Sequence, residues 1–409
     1  MWRRRIGSTS AREKSGSMTA QNELQTVAVV VAMVSFVMLP VFLVGALSLQ
    51  MREDIAITPA QFGLVASVFF LMSAVASLPV GRLAQRWGAV KSLRAAALTA
   101  FGGYLAIGLV VQTWRGLFIS LGVVGCANAM VHPAGNLAIA RGVSTARGLA
   151  FGVKQAAVPT ATLIAGAAVP VAALYVPWRV VFIVVGLGTV ITAMLASVIT
   201  ETPAPVTPQG RPANAAVEPG GLVLLPLIMV AIGGGLGAAA VNAFSIFFVP
   251  AAVSIGWEEI SAGRMLFFSS LIAIFLRVAI GRAADRLHSD GILGIVACTA
   301  VGAVTFFTMG FSQQSAFFAT VLIVGFAIGW SWQGLFQFTV ALKNGTQTAV
   351  ATSIAQAGVW VGGVLGPLSF GAIADRYGFT VSFFIGAALQ LAAIGFFLYA
   401  KRRYRLLGI

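Results

Sequence analysis

Carboxylates are scarce in this chain: eleven Asp and Glu stand against twenty-six Lys and Arg in 409 residues. All eleven map to tails, loops or the ends of apolar runs, so no acid is left to work in a water-poor interior. An intramembrane enzyme needs clustered acids and histidines or a nucleophile–base pair. Only His132 and His288 are available, and no enzymatic role is expected. Cysteine is nearly missing too. Cys126 and Cys298 both lie inside apolar runs, which implies neither a disulfide framework nor a zinc site. No glycine loop ending in Gly-Lys-Ser/Thr occurs, so ATP coupling has no support, and no cofactor or metal is expected. Charged residues of either sign make up 9% of the chain and hydrophobic ones 59%. A soluble domain of this length needs a far more polar surface.

What is present instead is a succession of long apolar runs, with a mean hydropathy of +0.95. In lipid the backbone of each run must satisfy its hydrogen bonds within itself, which means helix, and about 20 apolar residues make one crossing. The punctuation predicts helices over 27–49, 62–83, 93–111, 117–140, 149–176 and 180–199. A second set follows over 222–249, 263–284, 292–311, 316–342, 348–374 and 380–400. The expected fold is an all-α membrane protein of twelve transmembrane helices in two six-helix bundles. Between the sets, 201–220 carries Pro203, Pro205, Pro208, Pro212 and Pro219 and reads as an irregular linker. The expected division is a disordered basic tail at 1–26, a bundle at 27–200, the linker at 201–220, a bundle at 221–400 and a basic tail at 401–409.

Basic residues favour cytoplasmic loops. With both termini inside, nineteen of the twenty-six Lys and Arg fall in cytoplasmic tails, loops and linker, and five fall outside. That asymmetry accounts for most of the net charge of +15 and leaves no call for nucleic acid as a partner. The chain is expected in the plasma (inner) membrane, multi-pass, with both ends cytoplasmic.

The halves repeat one another. Gly81-Arg82-Leu83-Ala84-Gln85-Arg86, after the second helix, matches Gly281-Arg282-Ala283-Ala284-Asp285-Arg286, after the eighth, at an offset of 200. Gln155-Ala156-Ala157-Val158 in the fifth matches Gln356-Ala357-Gly358-Val359 in the eleventh, at 201. Parallel six-helix repeats about an axis along the membrane normal build one large class of transporters.

The run from Gly81 to Lys91, with Gly88 in place, resembles the signature loop of the major facilitator superfamily, glycine-x-x-x-aspartate-arginine-x-glycine-x-basic. Gly281 to Arg286 is a second copy, and Gly371-Ala372-Ile373-Ala374-Asp375-Arg376-Tyr377-Gly378 looks like a third. The resemblance covers about residues 25–400. It implies alternating access, with Gly81, Gln85, Arg86, Gly88, Gly281, Asp285 and Arg286 in loops that steady the outward-facing state. Gln85 stands where the family has aspartate, which shifts that role toward Asp285.

Polar groups carried through the bilayer mark function, because each is costly unless it meets a partner or a cavity. Lys154 in the fifth helix, Arg277 in the eighth and His132 in the fourth are the ionisable candidates. A cavity with cations and no anions favours an anion: Arg277 can fork two hydrogen bonds to a carboxylate and Lys154 adds a point charge. Asn128, His132 and Asn136 recur every four residues as one stripe of the fourth helix. At the 201 offset His132 and Asn136 become Gln333 and Gln337 of the tenth helix, bordered by Trp332. Gln356 and Trp360 share a face of the eleventh, and Gln155 stands beside Lys154. These eleven side chains are the expected substrate site.

Arg277-x-x-x-Gly281, with Arg147-x-Leu149-Ala150-x-Gly152, looks like the monocarboxylate and oxalate/formate transporters. That resemblance implies carboxylate binding by Arg277. Those porters carry an aspartate one turn before this arginine, where Ala273 stands here, and a first-helix lysine that this chain lacks. Cyanate and nitrate permeases are a comparable resemblance. The expectation is a monomeric secondary transporter for a small organic anion, with a coupling proton or counter-anion. The alternatives are an exporter of amphiphilic or aromatic compounds and a permease for a small inorganic anion.

Overall fold

The structure is a computed structural model that describes residues 3–143, 147–199, 223–287, 291–311, 316–344 and 348–407. Among them are helices and turns and no strand. Twelve helices are long and apolar enough to cross a membrane: Gln21–Ala46, Pro59–Ser77, Ala89–Val110, Trp114–Gly142, Gly152–Leu174, Trp178–Val198, Leu224–Ser254, Glu259–Ile280, Gly291–Met309, Ala316–Lys343, Val350–Tyr377 and Phe379–Leu406. They are called first to twelfth below. The twelve expected runs are all there, with ends shifted by a few residues.

Local signals set several ends. The Thr58 hydroxyl accepts from Gln61 N at 3.3 Å and the Gln61 side chain accepts from Thr58 N at 3.0 Å, a capping box with Pro59 in the first turn of the second helix. Gly88 and Gly378 take φ of 81° and 82°, a region open to glycine, and each turns the chain into the next helix. The first and third signature copies therefore share a turn as well as a sequence. The matching turn of the second copy, at 288–290, lies outside the described residues, as does the linker.

Residues 1–26, expected to be a disordered tail, are helical from Arg3, and the first helix runs Arg3–Ala46. A helix already nucleated extends at little cost until a breaker stops it, and no proline precedes Pro40.

Backbone contact sets the packing inside the second bundle. On the eleventh helix Gly358, Gly362 and Gly366 lie against the carbonyls of Ala231, Gly235 and Ala239 on the seventh. A Cβ at any of the three would sit 2.0–2.1 Å from those oxygens. Small residues every four positions let two membrane helices approach this closely.

The two bundles meet most tightly at the end away from the chain termini, called here the far end. A Cβ on Gly63 of the second helix would lie 2.2 Å from the Pro367 carbonyl of the eleventh, and one on Gly371 would lie 2.4 Å from that of Pro59. Ser67 Oγ donates to Val364 O at 2.6 Å between the same helices. A Cβ on Gly166 of the fifth would meet Phe267 N of the eighth at 2.6 Å, and the Thr162 and Ser270 hydroxyls bond at 2.8 Å. Gly45 of the first abuts Ile246 of the seventh. Beyond the first helix, burial pushes the Arg52 guanidinium below its ordinary range while Asp375, in the other bundle, pulls it back up. At the terminal end no extended contact joins the fourth helix to the tenth among the described residues, and Asn136 and Ser353 are exposed there.

Two helices break near mid-height, which the apolar pattern did not show. The fifth is split into Arg147–Lys154 and Ala157–Leu174, and the tenth into Ala316–Gly329 and Trp332–Lys343. Pro159 has no N–H to offer the Gln155 carbonyl four residues earlier, so the fifth opens there. In the tenth, Ser331 Oγ donates back to Ala327 O at 2.7 Å, and Gly334 N donates to Ser331 O rather than to Trp330 O. Such back-bonding bends helices.

Candidate functional site

Arg277 sits where the two breaks face each other. Its NH1 donates to Gln155 O at 2.6 Å, across the bundle interface. Its NH2 donates to Trp330 O at 3.0 Å and to Gln333 Oε1 at 3.3 Å. The first two acceptors are the backbone carbonyls that the broken helices leave unused. The guanidinium lies 5.5 Å from the Trp330 ring, a cation–π distance. It is 2% exposed, and its Nε has no partner.

Lys154 lies one residue before the carbonyl that Arg277 grips. Its Nζ donates to Asn136 Oδ1 at 2.5 Å and to His132 O at 3.3 Å, tying the fifth helix to the fourth. It is 8% exposed. Neither cation snorkels to the surface, and neither meets a carboxylate among the described residues. Every oxygen that receives them is neutral. Desolvating a cation costs several kcal/mol even after relaxation, and neutral oxygens recover only about 1.5–3 kcal/mol per bond. The pair therefore leaves an unspent attraction for negative charge at the centre of the molecule.

The second bundle joins the matching pair of helices without charge, through Gln337, the counterpart of Asn136, and Gln356, the counterpart of Gln155. Gln337 Nε2 donates to Gln356 Oε1 at 2.6 Å, between the tenth and eleventh helices, where Asn136 and Lys154 join the fourth and fifth. His132 turns its ring edge-on to Trp360, with centroids 6.0 Å apart, and Phe70 lies 6.4 Å from the same tryptophan. His132 Nε2 has no partner. Gln155, Gln333, Gln337, Gln356 and Trp360 are each half-buried and Asn136 is exposed, so water reaches this wall.

Two expected site residues lie elsewhere. Asn128 is fully buried, and its Nδ2 donates to Ser73 Oγ at 3.0 Å on the second helix of its own bundle. Trp332 is fully buried against Phe336 and Phe397, in the core of the second bundle. Gly81, Gln85 and Arg86, expected in a loop, lie in the last turns of the helix Pro59–Trp87; Gln85 and Arg86 are exposed, Gly81 has open space around it and Gly88 makes the turn. Gly281, Asp285 and Arg286 belong to the helix Glu259–Leu287, but their surroundings lie outside what is described.

Three residues were not foreseen in the site. Trp330 supplies both a carbonyl and a ring to Arg277, Phe70 supports Trp360, and Pro159 frees the Gln155 carbonyl. Only Pro159 left a sequence signal, a proline four residues after a polar position in an apolar helix.

Replacing Lys154 with glutamine tests the charge apart from the fold, since the mirrored helices already carry a neutral amide pair. The Lys154→Gln protein is expected to fold, with a KM for anion uptake about tenfold higher, the weight of one charge-assisted bond. An unchanged KM in reconstituted vesicles would remove Lys154 from the site.

The sequence model of the Major Facilitator Superfamily matches residues 26–343. Among solved structures the chain is similar to a bacterial homologue of the human lysosomal transporter Spinster, crystallised inward-facing and occupied. The TM-score is 0.71, with 14% identity over 92% of this chain and 96% of that one. It is also similar to the human organic anion transporter MFSD10 (TETRAN), at a TM-score of 0.68 and 15% identity over 92% and 99%. At such identities the likeness is one of fold. No curated protein sequence matches the chain significantly.

Proposed function

This chain belongs to the Major Facilitator Superfamily of transporters, and we propose from that premise that it moves a small organic anion, a carboxylate above all, by alternating access. The observation that carries this reading is the pair of buried cations, Lys154 from one bundle and Arg277 from the other, held by neutral oxygens alone. Cargo that must lie between bundles meets one positive group from each, and a carboxylate satisfies a guanidinium fork better than any neutral acceptor. MFSD10, to which the fold is similar, is an organic anion transporter, which agrees with this chemistry. The excess of Lys and Arg at the terminal end supports a cytoplasmic position for that end. The sealed far end then faces outward, and the structure is an inward-facing state. Among the described residues no acid stands beside either cation to carry a coupling proton.

The test is a melting screen of the purified protein against carboxylates, cyanate, nitrate and lipophilic dyes. A ligand that binds only the folded state at 100 times its Kd adds about 2.7 kcal/mol of stability. Carboxylates are expected to raise Tm by several degrees and dyes to leave it unchanged. A screen in which dyes alone stabilise the protein would overturn the anion reading. It would favour export of aromatic compounds over Trp360, Phe70 and His132, whose rings meet at the bundle interface.

A further inference from the structure

The grip of Arg277 on the fifth helix has no counterpart in the mirrored position. The residue 200 positions earlier, Ser77, donates only to Ala74 O in its own helix, at 2.6 Å. The eighth helix therefore crosses to the other bundle by a bond that repeat symmetry does not require. Its acceptor has no helical N–H partner because residue 159 is proline. With an N–H at that position the Gln155 carbonyl would close the helix internally, as Ala156 O does by accepting from Thr160 N at 3.0 Å.

We propose that the Gln155 carbonyl is a stand-in for cargo, a latch that holds the bundles together at mid-height while the site is empty and that an incoming carboxylate displaces from Arg277. Pro159 is the positioning residue that creates it. The inference rests on the anion reading and adds how the site couples occupancy to movement.

Several features of the geometry converge on this exchange. NH1 of Arg277 is committed to one neutral carbonyl, and NH2 is shared between the Trp330 carbonyl and a longer bond to Gln333 Oε1. A carboxylate presents two charged oxygens and fits a guanidinium edge two bonds at a time. Taking the edge formed by NH1 and NH2, it replaces the neutral Gln155 carbonyl on NH1 and the neutral Gln333 amide oxygen on NH2. NH2 can stay on Trp330 O, inside its own bundle. The exchange therefore cuts the cross-bundle bond and spares the one to the Trp330 carbonyl. What it releases is the segment Arg147–Lys154, which carries Lys154 with it and is joined to the rest of its helix only through the turn at Gln155–Ala156. A ligand shifts a conformational equilibrium only by its differential affinity for the two states. Competition for one guanidinium is such a difference.

Pro159→Ala tests the latch. Restoring the N–H gives the Gln155 carbonyl a partner in its own helix, so the carboxylate no longer competes for Arg277. Kd for the carboxylates that stabilise the wild-type protein is expected to fall about tenfold, the weight of one hydrogen bond to a charged group. Turnover is expected to fall at the same time, because binding no longer triggers release. A purely structural proline would not tighten binding while slowing turnover, and an unchanged or higher Kd in Pro159→Ala overturns the proposal.

A second measurement needs no ligand: spin labels placed by Gly152→Cys and Arg282→Cys report the separation of the fifth and eighth helices. The distance is expected to lengthen in Pro159→Ala without any anion, and in the wild-type protein on adding formate, pyruvate or succinate. Identical distances in Pro159→Ala and wild type overturn the latch whatever the cargo is. A lengthening in Pro159→Ala with no response of the wild type to any carboxylate overturns the anion reading instead, and the displacement with it.

Discussion

Arg277→Ala is expected to abolish carboxylate flux while leaving the protein folded. Two opposing effects act on stability. Losing the guanidinium strands the buried carbonyls of Gln155 and Trp330, at about 1–3 kcal/mol each. It also removes an uncompensated buried cation, whose desolvation costs several kcal/mol. The two nearly offset, so Tm in detergent should stay within a few degrees of wild type. Transport has no such compensation. A forked, charge-assisted contact worth about 3 kcal/mol corresponds to roughly a hundredfold in binding, and the empty-state latch is lost with it. Arg277→Lys keeps the charge but not the fork and is expected to fall between, about tenfold below wild type. Proteoliposome uptake, with melting curves on the same preparations, checks all three proteins. Carboxylate uptake by a well-folded Arg277→Ala protein would take this residue out of the mechanism.

The other large effect belongs to the far end. Gly63→Val would place a branched side chain where even a Cβ comes within 2.2 Å of the Pro367 carbonyl. Backbone lies on both sides of that contact, so no rotamer change can relieve it. The bundles must part there, and a rocking carrier that cannot close one end cannot cycle. Uptake is expected to be lost, with the protein held in the opposite state. In a background lacking Cys126 and Cys298, Ser67→Cys reports this directly. Ser67 is buried and bonded to Val364 O at 2.6 Å in the closed end. A membrane-impermeant thiol reagent should leave Ser67→Cys alone in the parent and label it in the Gly63→Val protein. Equal labelling in both would mean that closure does not depend on this contact.

The site was partly legible. A lone lysine and a lone arginine inside apolar runs can be picked out by eye, because the bilayer tolerates a charge only where something answers it. Asn136 and Gln337 were legible for a similar reason, recurring at one offset in both halves. Asn128 shows where the pattern stops informing. It lies on the same four-residue stripe as His132 and Asn136, yet higher on the helix that stripe faces the second helix and Ser73. Periodicity gives the direction of a side chain around its own axis. It carries no account of which neighbour stands there at each height.

The helix breaks divide in the same way. Pro159 marks the fifth helix for interruption, but the tenth has no proline near Trp330, and its break depends on Ser331 folding back and on Arg277 taking the carbonyl left over.

Composition alone determined that this chain crosses a membrane twelve times, because backbone in lipid has one way to satisfy itself over a single run of 20 residues and the runs can be counted. Repetition at a fixed offset determined the two bundles. Tertiary structure decided that Arg277 grips the Gln155 carbonyl across the seam, one residue along the chain from Lys154. That juxtaposition joins residues 122 positions apart, and it arises from how glycine-lined helices let two bundles close at one end and stay apart at the other.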